Sequence, residues 1–133
     1  MNKDYFEKYD WHGKIILIVE DDISSIFYLK EVLADTNAEL IIVKDGKTAI
    51  HECRENDNID LVLMDIQLPD LDGYQTTMRI KEIKPHLTVI AQTAYALVED
   101  RYRCKDAGCD DYLAKPIEPS ILLKKISKFL DEK

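Results

Sequence analysis

The residues of this sequence that are best suited to chemistry are acidic side chains that directly follow short apolar runs. Glu20 and Asp21 follow the run Ile15–Val19, and Asp65 follows the run LVLM at 61–64. Carboxylates that crowd into one cleft raise each other's pKa unless a cation offsets their charge. Carboxylate oxygens suit Mg²⁺, which typically takes one or two of them and keeps several waters. Glu20, Asp21 and Asp65 therefore predict a Mg²⁺ site if the fold brings them together.

Thr93 and Lys115 follow two further apolar runs and would complete a site for phosphoryl transfer. A bound Mg²⁺ would neutralise an incoming phosphoryl group, Lys115 would supply a second positive charge, and Thr93 would donate from its hydroxyl group. In that setting Asp65 becomes an attackable carboxylate for in-line transfer. Positioning and charge neutralisation would supply most of the catalysis.

Each of these residues also has an ordinary structural interpretation. Acidic residues after a strand often begin a helix, because they favour its first turn, and Asp22 is expected to cap the first helix in this way. An isolated threonine or lysine is more often an ordinary surface or loop residue. The joint occurrence of all these residues, each at its own strand end, favours a functional site.

Strand-like and helix-like segments alternate along the chain from Lys14 onward. Short apolar runs predict buried strands, and these are expected at 15–19, 40–43, 61–64, 87–92 and 111–114. Apolar residues at helical spacing, such as Ile23 and Phe27, predict helices, and Met78, Ile80 and Ile83 are expected as inner positions of the third helix. The helices are expected at 23–34, 47–55, 73–83, 96–107 and 119–130. The alternation predicts an α/β domain with a parallel sheet, whose sites form beyond the carboxyl ends of the strands.

Composition and charge limit the classes of function. The chain has 133 residues, of which 46% are hydrophobic, and this fits one globular domain. Its net charge of -8 repels phosphate backbones, so direct binding of nucleic acid is not expected. No apolar run approaches the ~18 residues of a membrane span, so membrane insertion is not expected either.

The cysteines and the N-terminal segment add two further expectations. The three cysteines are too few and too scattered for a disulfide framework, and free thiols in a reducing cytoplasm are expected. Residues 1–13 are interpreted as a leader or linker, and residues 14–133 as the domain. The aromatic side chains of Tyr9 and Trp11 would cover the surface of the domain or belong to a connection from an upstream region.

Four stretches of the sequence together resemble the receiver domain of two-component response regulators. They are IILIVEDD, LVLMDIQLPDLDGY, VIAQTAYA and GCDDYLAKPI, and the similarity extends from about Lys14 to Leu130 in the right order and spacing. The resemblance implies a flavodoxin-like (βα)5 fold, a doubly wound five-stranded parallel sheet with strand order 2-1-3-4-5. It also implies a function as the phosphoacceptor of a histidine-to-aspartate phosphorelay.

The resemblance implies a role for each matching site residue. Asp65 would be phosphorylated by a partner histidine kinase or histidine phosphotransfer domain. Asp21 would bind Mg²⁺ directly, and Glu20 would act through water or as a secondary ligand. Gln67 would offer its backbone carbonyl to the ion, and Thr93 would hydrogen-bond the phosphoryl group.

The resemblance also implies a conformational switch. Lys115 would pair with a phosphoryl oxygen, and its bond to Pro116 would be cis, an isomer that occurs almost only before proline. Thr93 would shift inward on activation and the rotamer of Tyr112 would follow, although a half-buried core aromatic explains Tyr112 equally well. The output surface would be the fourth helix, fifth strand and fifth helix, and homodimerisation through it is left open. In receiver domains the residue two positions after this threonine tunes how fast the phosphoryl group is lost. The bulky Tyr95 at this position would shield the phosphoryl group from water, which predicts slow self-dephosphorylation.

The stretches WHGKIILIVEDD, MDIQLPDLDGY and QTAYALVEDRYRC resemble receivers attached to hybrid sensor histidine kinases. This implies a cytoplasmic location, tethered if the chain belongs to a membrane-bound hybrid kinase. The sequence contains no kinase domain and no DNA-binding helix-turn-helix. A free-standing receiver and a fragment of a hybrid kinase are both compatible with it.

Two other functions are weighed against phosphorylation of a receiver. The first is a receiver-like scaffold that works without phosphorylation, and the intact set of Asp65, Thr93 and Lys115 argues against it. The second is a Mg²⁺-dependent aspartyl phosphohydrolase, whose nucleophile motif the stretch DLDG at 70–73 superficially resembles. That motif should directly follow the first strand, whereas here it follows Pro69 in a loop.

Overall fold

A computed structural model of the chain describes residues 9–94 and 98–131. Strands and helices alternate in the predicted order. The strands are β1 (Ile15–Val19), β2 (Glu39–Val43), β3 (Ile59–Asp65), β4 (Thr88–Thr93) and β5 (Asp111–Ala114). The helices are α1 (Ile23–Leu33), α2 (Gly46–Glu55), α3 (Gly73–Ile83), α4 (Val98–Ala107) and α5 (Pro119–Leu130), and a 3-10 turn at Ala34–Thr36 follows α1.

The five strands form one parallel sheet in the order β2-β1-β3-β4-β5. This order confirms the predicted doubly wound, flavodoxin-like architecture. Val19 of β1 pairs with Met64 of β3, so the next residues, Glu20 and Asp65, come side by side at the carboxyl edge of the sheet. Asp65 pairs in turn with Gln92 of β4. Asp65 is therefore the last residue of β3 rather than the first residue beyond it.

Helices cover both faces of the sheet. One apolar cluster contains Leu29 of α1 and Leu122 of α5, and a second contains Ile50 of α2 and Ile80 of α3. Cys104 of α4 belongs to a third cluster, next to the second. Helices α1 and α5 therefore share one face, and α2, α3 and α4 share the other. Within the described ranges, no helix has the length and apolarity needed to cross a membrane.

Several apolar residues of the predicted helical patterns lie on the surface. Ile23 and Phe27 of α1 are 74% and 64% exposed, and Met78 of α3 is 54% exposed. Helix α1 packs on the sheet through Leu29 and α3 through Ile80, which are both fully buried. The expectation of Met78 as an inner position is wrong, because the sheet covers only one stripe of each helix.

The segment before β1 is more closely joined to the domain than the sequence suggested. Trp11 is 1% exposed and lies in the cluster between the sheet, α1 and α5. Its Nε1 donates to Oδ2 of Asp131 at 3.1 Å, and its backbone N–H donates to the carbonyl of Thr36 at 2.6 Å. Trp11 therefore fills the core, and the expected surface position is wrong for this side chain. The division at residue 13 stays a prediction.

Candidate functional site

Three carboxylates meet at the carboxyl edge of the sheet, where β1 and β3 end side by side. Oxygen atoms from Glu20, Asp21 and Asp65 all lie within 4.8 Å of one another. Glu20 is 0% exposed and Asp65 is 5% exposed, whereas Asp21 faces solvent. Hard oxygen ligands at this spacing are a donor set that fits Mg²⁺. The structure thus brings together the three side chains that the sequence predicted as metal ligands.

Lys115 brings a positive charge to these carboxylates from the loop after β5. Its Nζ lies 3.0 Å from Oε1 of Glu20 and 3.5 Å from Oδ1 of Asp65. Burial lowers the pKa of Lys115, but the hydrogen bond to Glu20 and the charge of Asp65 outweigh burial and raise this pKa above its ordinary value. The ammonium group stays charged as a result. The peptide bond between Lys115 and Pro116 is cis, the isomer that the family resemblance implies.

The surroundings of Asp65 disfavour the negatively charged form of its carboxyl group. Burial raises the pKa of Asp65 to about 7, and the hydrogen bond and charge of Glu20 act in the same direction. The charge of Lys115 lowers this pKa, as does the N–H of Gln67, which donates to Oδ1 at 3.2 Å. The neighbouring positive charge and hydrogen-bond donor therefore offset the negative charge of ionised Asp65 only in part. An added cation in this cleft would therefore favour the carboxylate.

We expect replacement of Asp65 by asparagine to stabilise the domain in alkaline buffer without divalent cations. The folded-state pKa of Asp65, about 7, lies above its ordinary value of about 4. Between these values the folded protein keeps a proton that the unfolded chain has released. The free energy of unfolding therefore falls as the pH rises through this window. Asp65→Asn removes that loss and should raise the free energy of unfolding at about pH 8 by roughly 1–4 kcal/mol.

Urea unfolding curves in a chelating buffer between about pH 5 and 8 would measure this effect. Asp106→Asn is the matched control, because Asp106 is an exposed aspartate on α4. Its free energy of unfolding should follow that of the wild type at every pH. If the free energies of unfolding of the wild type and of Asp65→Asn changed with pH in parallel, the raised pKa of Asp65 would be contradicted.

The helix that follows β1 is held against the acidic cluster by its own cap. Oδ2 of Asp22 accepts from the backbone N–H of Ser25 at 2.9 Å and begins α1, as predicted. The N–H of Asp22 donates to Oε2 of Glu20 at 3.2 Å. Both oxygens of Glu20 therefore have partners, because Oε1 already accepts from Lys115. These bonds fix the orientation of a buried carboxylate that lines the acidic cleft.

Asp70 has a structural role away from the acidic cluster. Its carboxylate accepts from the backbone N–H of Gly46 at 2.8 Å and of Lys47 at 3.0 Å. Negative charge and hydrogen-bond acceptors are favourable at a helix N-terminus, so Asp70 stabilises the first turn of α2. The stretch DLDG therefore does not supply the nucleophile that a phosphohydrolase would need.

Gly73 places the start of α3 directly against the backbone of Asp65. The N–H of Gly73 donates to the carbonyl of Ile66 at 2.8 Å. A Cβ atom at this position would lie 2.3 Å from the carbonyl oxygen of Asp65, a distance that no side chain tolerates. Asp72 caps the same helix by accepting from the N–H of Gln75 at 2.8 Å. The helix can approach the end of β3 this closely only with glycine at its first position.

Gln67 and Thr93 differ in their position relative to the acidic cleft. Gln67 lines it together with Asp65 and Lys115. Thr93 is the buried last residue of β4, and its carbonyl accepts from the N–H of Lys115 at 2.8 Å. Thr93 is not among the residues that line the acidic cleft. Its predicted contact with a phosphoryl group stays a prediction.

Tyr112 is half-buried in β5 and lies between two cationic side chains. The guanidinium of Arg101 on α4 is 5.1 Å from the centre of its ring, and the ammonium of Lys125 on α5 is 5.3 Å away. Cations over an aromatic face attract the ring. The ring of Tyr112 is therefore linked to both neighbouring helices. Its predicted role as a switch is not decided by this arrangement, and Tyr95 lies outside the described residues.

The contribution of α1 to the site was not predicted from the sequence. Ser24 and Ser25 of the first helical turn line the acidic cleft. They also line a more apolar crevice beside it, which includes Tyr28 and Gln92. Gln92 is fully buried, and among the described residues neither atom of its amide group has a hydrogen-bond partner. The sequence signal for this crevice was Gln92, a polar residue near the end of the buried strand β4.

Comparison with known proteins assigns the chain to a family. The family model for the response regulator receiver domain matches residues 16–127. This range covers most of the 133 residues, and the chain belongs to the response regulator receiver domain family. It is 35% identical over 129 residues to hybrid signal transduction histidine kinase I of Dictyostelium discoideum, with 88% of this chain and 7% of that protein covered. The chain thus spans a small part of the length of this relative.

Solved structures of receiver domains have the same fold. The receiver domain of the sensor histidine kinase PA1611 from Pseudomonas aeruginosa is 34% identical, with a TM-score of 0.83 over 90% of this chain and 99% of that one. That structure has a magnesium ion coordinated in the active site cleft. The complex of the Saccharomyces cerevisiae phosphotransfer protein Ypd1 with the receiver domain of Ssk1 gives a TM-score of 0.83 at 26% identity, with 90% of each chain covered. The chain is a receiver domain of two-component signalling.

Proposed function

We propose that Asp65 accepts a phosphoryl group from a phosphohistidine of a partner protein, as one step of a histidine-to-aspartate phosphorelay. The observation that carries this proposal is the position of the Asp65 carboxyl group, which lies in an open cleft beside Lys115 and two further carboxylates. A carboxylate flanked by positive charge suits in-line attack on phosphorus. One oxygen of Asp65 forms the new O–P bond while the P–N bond to the donor imidazole breaks, and the imidazole leaves with the bonding electrons.

The charges around Asp65 support a division of roles between a metal ion and Lys115. Glu20, Asp21 and Asp65, with the backbone carbonyl of Gln67, would hold Mg²⁺. The magnesium ion in the cleft of the P. aeruginosa receiver supports this choice of ion. When bound, Mg²⁺ supplies positive charge against the carboxylates and the phosphoryl oxygens. The ammonium of Lys115, which already lies 3.5 Å from Asp65, would pair with a phosphoryl oxygen.

The phosphorylated state would be signalled through the surface formed by α4, β5 and α5. A movement of Lys115 toward the phosphoryl group would pull on Thr93, because the two backbones are hydrogen-bonded at 2.8 Å. The hydroxyl group of Thr93 would then donate to the phosphoryl group. A rotation of Tyr112 would change its contacts with Arg101 and Lys125 together. Homodimerisation through this surface stays a prediction.

We further propose that the partner is a histidine phosphotransfer domain that docks on α1. Ile23 and Phe27 form an exposed apolar patch on this helix, and Ser24 of the same turn lines the acidic cleft. Exposed apolar side chains beside a reactive group favour a protein interface. The complex of Ypd1 with the Ssk1 receiver pairs these two kinds of domain. A phosphohistidine delivered over α1 would meet Asp65 directly.

We expect Phe27→Ala to slow phosphoryl transfer from a phosphorylated histidine phosphotransfer protein by about tenfold, because truncating an aromatic anchor typically costs more than 1 kcal/mol of binding energy. The transfer would be followed by the loss of label from phosphorylated Ypd1. The variant should react with acetyl phosphate at the wild-type rate, because this small donor needs no docking surface. Asp65→Asn should accept nothing from either donor.

Met78→Ala provides the matched control for this experiment. Met78 is also a large exposed apolar residue, but it lies on α3, on the opposite face of the sheet. Its truncation should leave transfer unchanged. Equal slowing by Phe27→Ala and Met78→Ala would rule out docking on α1, and phosphorylation of Asp65→Asn would rule out Asp65 as the acceptor.

The proposal also concerns the partners of the domain and the cellular location in which it would act. The D. discoideum relative is a hybrid histidine kinase of which this chain covers 7%, so kinase activity is not assigned to the described domain. Its partners, histidine kinases and histidine phosphotransfer domains, would meet it in the cytoplasm. That location, tethered where the domain is part of a membrane-bound kinase, stays a prediction.

A further inference from the structure

Two cysteines are brought together at the end of α4, away from the acidic cleft. Cys104 lies in the last turn of α4, and Cys109 follows the helix, two residues before β5. Gly108 has a φ of 101°, which reverses the chain. The N–H of Cys109 then donates to the carbonyl of Cys104 at 2.9 Å. The backbone reversal therefore places both side chains on the same side of the chain.

The two cysteine side chains pack together beneath α3. Sγ of Cys109 donates to Oγ1 of Thr77 at 3.9 Å, and Cys104 and Cys109 interact closely enough to shift each other's pKa. Both pack in the apolar cluster that contains Tyr74. An apolar contact between these two positions is common where a helix ends at a glycine. Two cysteines at these positions go further, because the backbone hydrogen bond of 2.9 Å between Cys109 and Cys104 holds their backbones close enough for a disulfide to bridge them.

We propose that Cys104 and Cys109 form a reversible dithiol–disulfide site, whose oxidation by a hydroperoxide ties the C-terminal end of α4 to the start of β5. The site is independent of the proposed phosphorylation of Asp65. Cys53 is the third cysteine, and it lies buried in α2 in a different cluster. Cys53 therefore serves as the unpaired cysteine with which Cys104 and Cys109 are compared.

The roles of the two sulfurs follow from their surroundings. The hydrogen bond with Cys109 lowers the pKa of Cys104, whereas the same bond and burial raise the pKa of Cys109. Cys104 is therefore the nucleophile, since the thiolate is the reactive form. Its sulfur attacks one peroxide oxygen, the O–O bond breaks, and the departing oxygen leaves as water or alcohol with a proton. Cys104 is then a sulfenic acid.

The second step closes the disulfide without a further reactant. The sulfur of Cys109 attacks the sulfur of Cys104, the S–S bond forms, and the S–O bond breaks. The hydroxide leaves as water with the proton of Cys109. In total, two thiols lose two hydrogens and the hydroperoxide is reduced by two electrons. A thiol reductant restores both thiols by exchange.

The oxidised domain would hold α4 in one position relative to β5. Tyr112 of β5 packs against the same apolar cluster as Cys109, and Arg101 of α4 lies over its ring. A covalent link between the end of α4 and the start of β5 therefore acts on the surface proposed for output. Oxidation would restrict this surface while leaving Asp65 unmodified.

The test is a thiol count after oxidation of the full chain. Reduced protein is treated with a small excess of hydrogen peroxide, then unfolded and alkylated, and its intact mass is measured. We expect loss of two hydrogens and one alkylated cysteine, Cys53, with a peptide map that links Cys104 to Cys109. Incubation with dithiothreitol before alkylation should restore three alkylated cysteines.

Single cysteine substitutions distinguish disulfide formation at this site from general oxidation of the thiols. Cys53→Ser should form the disulfide like the wild type, because Cys53 lies in a different apolar cluster from Cys104 and Cys109. Cys104→Ser and Cys109→Ser should form none, and circular dichroism would verify that they are folded. Oxidation of Cys53 as fast as the pair, over-oxidation without a disulfide, or no reaction in the folded wild type would each overturn the proposal.

Discussion

Replacing Gly73 by alanine is expected to destabilise the domain by about 3 kcal/mol or more, because over-packing against a fixed backbone has costs of this order. The new Cβ would lie 2.3 Å from the carbonyl oxygen of Asp65 and 2.6 Å from Cα of Ile66. Both atoms belong to the backbone at the end of β3, so no side-chain rotation relieves the contact. Either α3 or the end of β3 must move, and the second movement displaces the carboxyl group of Asp65.

Urea unfolding would measure the loss of stability, and Gly13→Ala is the matched control. Gly13 has a φ of 83°, but no atom lies within 4 Å of its Cβ position. Alanine there should cost only the strain of the left-handed conformation, about 1–2 kcal/mol. If Gly73→Ala were no less stable than Gly13→Ala, the close approach of α3 to the strand would be wrong.

Replacing Trp11 by alanine is expected to cost about 3–5 kcal/mol of the free energy of unfolding, as for other buried large-to-small substitutions. The indole is 1% exposed within the cluster formed by the sheet, α1 and α5. Its removal leaves a cavity that these rigid elements close only in part. The Nε1 hydrogen bond to Asp131, at 3.1 Å, is lost as well.

The contribution of the carboxylate is measured by Asp131→Ala, which also removes the hydrogen bond that Oδ2 accepts from Oγ of Ser127. This variant keeps the indole in place and should lose about 1–3 kcal/mol, the usual range for two hydrogen bonds. The two free energies of unfolding come from the same urea titrations. A cost of less than about 1 kcal/mol for Trp11→Ala would show that the segment before β1 does not belong to the folded core.

The fold and the acidic cluster were predictable because local signals agree with the final structure. Continuous apolar runs such as Ile15–Val19 fit strands buried on both faces, and polar residues follow directly at the strand ends. The parallel order of the sheet then brings Glu20, Asp21 and Asp65 within reach of one another. Lys115 joins them from the loop after β5, where the resemblance to receiver domains had placed it.

Features that depend on tertiary packing were not predictable in the same way. Trp11 and Phe27 are both large aromatic residues, yet one fills the core and the other lies on the surface. The sequence contains no signal that separates them, because burial is decided by which side of the segment meets the sheet. The contact of Gly73 with β3 and the meeting of Cys104 with Cys109 depend likewise on distances that only the folded chain defines.

Intact mass spectrometry after incubation with acetyl phosphate and Mg²⁺ tests the central claim, phosphorylation of Asp65, most directly. The wild type is predicted to gain the mass of one phosphoryl group, and peptide mapping should locate it on Asp65. The gain should disappear in a chelating buffer and in Asp65→Asn. An unmodified wild-type protein in the presence of Mg²⁺, or a phosphoryl group on the Asp65→Asn variant, would contradict the account.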